Sequence, residues 1–170
     1  MRTKNVMVVP YDPKWKNEFE RLKSYLKNAI GGMSIEIEHV GSTSVEGLWA
    51  KPIIDIDIVI EKQDDFERVK DRLEKLGYYH EGDLGIKGRE AFGYDEKDEF
   101  IKHHLYVCHK DSQQLKNHIK FRNYLRQNKE DRDRYSEVKA KASKGNPKDI
   151  EGYMEEKSHI IEAIYKKIGL

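Results

Sequence analysis

The chain has 170 residues, with 32 lysine and arginine side chains against 31 aspartate and glutamate, so its net charge of +1 makes no case for broad nucleic-acid binding. Cys108 is the only cysteine, which excludes an intrachain disulfide and a cysteine-built zinc cluster. No segment approaches the roughly eighteen consecutive apolar residues that span a bilayer, so no membrane partner is expected.

In chain order, Asp12 followed by Pro13 predicts a helix start, and Trp15, Phe19, Leu22, Leu26 and Ile30 then recur at helical spacing until Gly31 and Gly32 stop it. Trp15 and Phe19 read as core. Ser34 to Val40 alternates Ile35, Ile37 and His39 against Glu36 and Glu38, a strand pattern that delivers the chain to Gly41 and Ser42. Ile53 to Ile60 predicts a second strand. Asp64 is the expected cap of a helix buried through Phe66, Val69, Leu73 and Leu76 and ended by Gly77. Tyr78 to Glu81 suggests a short strand. Gly82 to Glu99, with four glycines among many charges, reads as a hairpin or loop outside the core. Ile101 to Cys108 is β-prone and should rejoin the sheet. From about Ser112 the pattern is helical: Leu115, Ile119 and Leu125, then Tyr135 and Val138, then Ile150 to Ile168, with Gly145, Asn146 and Pro147 separating the last two segments.

No linker divides the chain, so a single α+β domain is expected over residues 1–170, with a sheet-containing core in 1–109 and a helical part in 110–170. The first part holds 17 basic and 21 acidic side chains and the second 15 and 10, an asymmetry that suits a phosphate-rich ligand or a lysine-rich helical surface. MRTKNVMVVPYDPKW contains no long apolar run, and with one cysteine the expected setting is cytoplasmic and reducing.

The stretch EHVGSTSVEGLWAKPIIDIDIVI, Glu38 to Ile60, sets a Gly-Ser pair twelve residues ahead of an Asp-Ile-Asp in an apolar strand. Alternation puts Asp55 and Asp57 on one face, roughly 7 Å apart, with apolar neighbours on both sides. Desolvating two carboxylates needs a compensating cation or donors, and magnesium, with manganese as the alternative, fits. Gly41 permits close approach of backbone N–H groups to phosphate, and Ser42 adds a hydroxyl.

This spacing resembles the nucleotidyltransferase fold shared with DNA polymerase β, in which the Gly-Ser turn binds a triphosphate and the carboxylates carry metal. The longer string, together with GIKGREAF at Gly85 to Phe92, HHLYV at His103 to Val107, FRNYLR at Phe121 to Arg126 and the Tyr153 to Lys157 pair, is similar to the GrpB family of bacterial proteins. The resemblance implies a nucleotidyltransferase-like mixed sheet with flanking helices and names no substrate. Superfamily members usually add a third carboxylate from a later strand. The candidate strand here has none, so His104 is its substitute, and Tyr106 stands where the family pattern often has another histidine.

The expected catalytic groups are therefore Asp55, Asp57 and His104, with metal on the two aspartates. Gly41, Ser42, Lys51, Arg89, Arg122 and Lys157 are the expected phosphate-binding groups. Lys51 precedes Asp55 by four residues; Arg89 lies among glycines; Arg122 and Arg126, like Tyr153 and Lys157, share a helix face and form either an anion-binding wall or structural ion pairs. His39 either contacts nucleotide or packs, and Cys108 reads as a small buried hydrophobe. Three functions compete. The first is metal-dependent transfer of a nucleoside monophosphate from a nucleoside triphosphate to an acceptor whose identity, like the oligomeric state, is open. The others are a noncatalytic nucleotide- or metabolite-binding module and a histidine-assisted phosphoester hydrolase.

Overall fold

The structure, a computed structural model, describes residues 5–33 and 35–170. The expected strand start at Ser34 lies outside the described residues, as do the first four positions of the amino-terminal stretch. Five strands, β1 (Ile35–Val40), β2 (Ile54–Ile60), β3 (Tyr79–Gly82), β4 (Glu90–Gly93) and β5 (His103–His109), form one mixed sheet in the order β1-β2-β5-β4-β3. The interior strand β2 pairs antiparallel with β1 and parallel with the central β5; the other pairings are antiparallel.

Helices α1 (Lys14–Ile30) and α2 (Asp65–Lys75) cover one face, and α3 (Gln113–Gln127), α4 (Lys129–Gly145) and α5 (Ile150–Ile168) complete the chain. The start of α1 is fixed by Asp12, whose Oδ1 accepts from the Lys14 N–H at 2.9 Å. Its stripe of Trp15, Phe19, Leu22, Leu26 and Ile30 is buried against Ile54, Ile56, Ile58 and Ile60 of β2, each such aliphatic side chain contributing about 1.5–3 kcal/mol by its burial. The expected Asp64 cap is not formed: its side chain makes no capping hydrogen bond, and Asp65 and Glu67 instead complement the helix dipole from the first turn.

The segment Gly82 to Glu99 completes a hairpin, one of its two expected forms, with β4 antiparallel to β3, but departs from expectation in joining the core. It supplies β4, and Ala91, Phe92 and Tyr94 are buried. A four-residue strand between charged turns is too short to show a period of two, so its pairing with β3 and β5 is what reveals it.

Period-2 alternation on β2 decides the rest. Four isoleucines face α1 and α2, leaving Asp55, Asp57 and Val59 on the opposite face with Glu38 and Val40 of β1 and His104, Tyr106 and Cys108 of β5. α3 lies over the far end of that face, where Val59, Cys108 and Leu115 pack together. Cys108 is buried there, and burial pushes its thiol up to about 12, consistent with a packing role.

Candidate functional site

The site is assembled where β1 ends. Gly41 adopts φ +71°, and a Cβ at this position would collide with Asp55 Oδ2, so both the backbone conformation and the close carboxylate require glycine. A single helical turn, Ser42–Ser44, follows and is held from three directions. His39 stacks on Phe19 at 4.5 Å between ring centroids, and its Nε2 lies 3.0 Å from Thr43 Oγ1, which donates to the Ile53 carbonyl at 3.3 Å. Burial lowers the His39 pKa to about 4, so this histidine is neutral core, the packing alternative. Arg122 donates to Glu38 at 2.7 Å and to the His39 carbonyl at 2.9 Å, while Arg126 reaches the Ser44 carbonyl through Nη2 and Nε at 2.8 and 3.0 Å. The pair of arginines therefore brackets the Gly-Ser turn. Of the two roles open for Arg122, the structure places it in an ion pair that clamps α3 onto β1.

Three lysines converge on the open side of the turn. Lys139 of α4 is only 2% exposed and donates from Nζ to Ser42 Oγ at 2.6 Å. Lys51 and Lys157 flank the buried ring of Tyr153, their Nζ atoms 5.5 and 4.8 Å from its centroid. A cavity of about 160 Å³ is lined by Ser42, Lys51, Asp55, His104, Lys139 and Lys157, among others. Burial, reinforced by the other lysines, holds Lys139 well below the ordinary lysine value and brings Lys157 to about 8; Lys51 is also lowered, chiefly by burial. Asp55 opposes all three shifts. The cavity thus gathers three amino-group donors, whose charged forms burial disfavours and an anion would restore, with a single carboxylate beside them, a composition that fits a phosphate chain.

The two aspartates each face a histidine. Asp55 Oδ1 lies 2.8 Å from His104 Nδ1, its register partner on β5, and Asp57 Oδ2 lies 2.7 Å from His118 Nδ1 on α3. Asp57 is wholly buried, and its second oxygen, Oδ1, has no hydrogen-bond partner. Among the described residues no three histidine, cysteine or acidic side chains are grouped to hold a metal ion. Magnesium does not require such a group, because it is commonly held by one or two carboxylates together with substrate phosphates. The orphaned Asp57 oxygen and the neighbouring Asp55 fit that mode.

Of the expected residues, Gly41, Ser42, Lys51, Asp55, His104 and Lys157 come together, and Asp57 lies two residues along the same face. Arg89 does not join them: its guanidinium carbon sits 4.2 Å over the Tyr106 ring, and the residue is absent from the cavity lining. Tyr106 supplies an aromatic face that competes for this cation. Sequence reasoning missed Lys139 and His118. Each carried a signal: Lys139 falls on the buried stripe Tyr135, Lys139, Ala142, and His118 falls between Leu115 and Arg122 on the face that α3 turns to the sheet.

This sheet order, with the Gly-Ser turn ahead of paired aspartates on the interior strand β2, defines a nucleotidyltransferase-like fold. The MgGTP-bound structure of Cid1 poly(U) polymerase aligns with a TM-score of 0.55 over 78% of this chain and 42% of that chain, at 12% identity, a likeness of fold alone. The GrpB protein family matches residues 5–167, and the chain belongs to that family. The glutamate-rich protein GrpB of Alkalihalophilus pseudofirmus is 32% identical over 166 residues, covering 96% of this chain and 95% of the relative. The crystal structure of GrpB from Enterococcus faecalis aligns with a TM-score of 0.80 at 30% identity, over 96% and 100% of the respective chains. No helix among the described residues is long and apolar enough to cross a membrane.

Proposed function

We propose that this member of the GrpB family binds a nucleoside triphosphate with its phosphate chain in the lysine-lined cavity and transfers the nucleoside monophosphate to an acceptor hydroxyl. The observation that carries the reading is the buried Lys139 donating to Ser42, with Lys51 and Lys157 beside the same Gly-Ser turn. Nearly desolvated ammonium groups are costly unless an anion compensates them. Asp55 and Asp57 would hold magnesium or manganese, which when bound neutralises phosphate charge. The acceptor oxygen attacks the α-phosphorus as the bond to the bridging oxygen breaks, and the electron pair leaves with pyrophosphate, stabilised by the lysines. The acceptor proton passes to His104, whose Nδ1 is engaged by Asp55 and whose Nε2 is the remaining basic atom.

Calorimetric titration of each nucleoside triphosphate with magnesium, manganese or no metal tests this reading. Metal-dependent binding should disappear in the Asp55→Asn, Asp57→Asn double variant while the fold survives, and unchanged binding in that variant would sink the site. A second reading, a binding module without turnover, draws on the register of β5, which places His104 and Tyr106, not carboxylates, beside Asp55 and Asp57. Binding without pyrophosphate release across a broad acceptor panel would decide for it.

A further inference from the structure

A second, larger cavity opens on the same sheet face. It encloses about 870 Å³, within the range of small-molecule sites, and shares Lys51 and His104 with the lysine cavity. The recess is written into β4, whose two positions on this face are Ala91 and Gly93, so that a single methyl group projects there. An added Cβ on Gly93 would lie 2.5 Å from Tyr79 Cε2 and 3.0 Å from Glu81 Cδ, so its absence lets both β3 side chains lean across the sheet. A second wall is the start of α5, with Ile150, Glu151 and Met154.

Each wall therefore offers one exposed apolar side chain, Leu84 at 61% or Met154 at 48%, and one carboxylate, Glu81 or Glu151. Among the described residues neither carboxylate has a cationic partner. Glu151 has a local reason to be acidic, since it sits in the first turn of α5, where a negative charge complements the helix dipole. Glu81, on a strand, has no such reason. Two unpaired carboxylates lining a partly apolar groove complement a cation with an apolar body, and they oppose a phosphate backbone.

We propose that this groove holds the acceptor of the transfer reaction, and that the acceptor is a small molecule whose reacting hydroxyl sits on an apolar body that also carries a protonated amine. The inference rests on the nucleotidyl-transfer reading, with His104 at the junction of the two cavities. A nucleoside in the groove would leave both carboxylates without a countercharge, because nucleobases are neutral.

Titration with tyramine, and with 4-ethylphenol as the same body without the amine, tests the inference. Tyramine should bind wild type at least tenfold more tightly than 4-ethylphenol. The Glu81→Gln, Glu151→Gln double variant should erase that preference. Ala91→Phe, which fills the floor while leaving both carboxylates, should remove binding of both compounds. Equal binding of the two compounds, a preference that survives in the glutamine variant, or no tyramine binding at millimolar concentration overturns the proposal. So does an RNA oligonucleotide whose binding is lost in Ala91→Phe. Titration of wild type with ATP and magnesium in parallel reads the lysine cavity separately: ATP binding without tyramine binding removes the acceptor and keeps the transfer reading, whereas tyramine binding without ATP binding removes that reading.

Discussion

Replacing Lys157 by methionine should stabilise the protein near pH 7 while weakening its hold on phosphate. The side chain is partly buried beside Lys51 and over the Tyr153 ring, and burial lowers its pKa from 10.5 to about 8. At about 1.36 kcal/mol per pH unit, that drop means charged Lys157 costs the folded state about 3 kcal/mol wherever it is protonated in both states. Between pH 8 and 10.5 the unfolded chain holds a proton that the folded chain has released, so stability rises with pH through this window and levels above it. Lys157→Met keeps the aliphatic stem and removes the charge. It should gain about 2–3 kcal/mol at pH 7, roughly 2–4 °C in Tm per kcal/mol for a chain of this size, and the gain should vanish near pH 10.5. Urea melts of both proteins at pH 7, 9 and 10.5 measure the difference directly. The same variant should bind ATP more weakly, the exchange of stability for function expected of a charge kept for a ligand. A variant that is no more stable at pH 7, or whose advantage persists unchanged at pH 10.5, would refute the reasoning.

Three further outcomes follow from the same geometry. Gly41→Ala should lose about 2–4 kcal/mol, from the left-handed backbone and the collision with Asp55, and should lose nucleotide binding with it; chemical denaturation and ATP calorimetry read the two effects. His39 and His103 are both lowered to about 4 by burial, so the unfolded chain takes up protons that the folded chain refuses as pH falls from 6.5 to 4, and stability should drop by about 3 kcal/mol for each. His39→Phe, which keeps the stacking on Phe19, should remove about half of that acid dependence in melts between pH 7 and 4. Arg122→Ala should cost about 1–3 kcal/mol, because it leaves Glu38 without its partner and the His39 carbonyl without one of its donors; a cost indistinguishable from zero would show that α3 does not clamp the turn.

The sequence alone determined the elements whose pattern is local and long. The Trp15 to Ile30 stripe gave α1, the alternation of isoleucine and aspartate gave β2 and its two faces, and Gly-Ser ahead of Asp-Ile-Asp pointed to the nucleotidyltransferase-like fold. These signals are legible because helical and strand periodicities repeat within one segment, and because a phosphate turn and its carboxylates lie only twelve residues apart. Tertiary structure decided which cations face the turn. Lys139 is 97 residues from Ser42, His118 is 61 from Asp57 and Arg126 is 82 from Ser44; helical spacing can set Lys139 on a buried stripe, but it does not say which distant group that face meets. Arg89 shows the converse: it sits among glycines that suggest access to a ligand, yet the pairing of β4 with β5 carries it onto Tyr106. Folding chose among chemically equivalent lysines and arginines by which helix docks on which end of the sheet, a matter of long-range packing that a linear pattern does not encode.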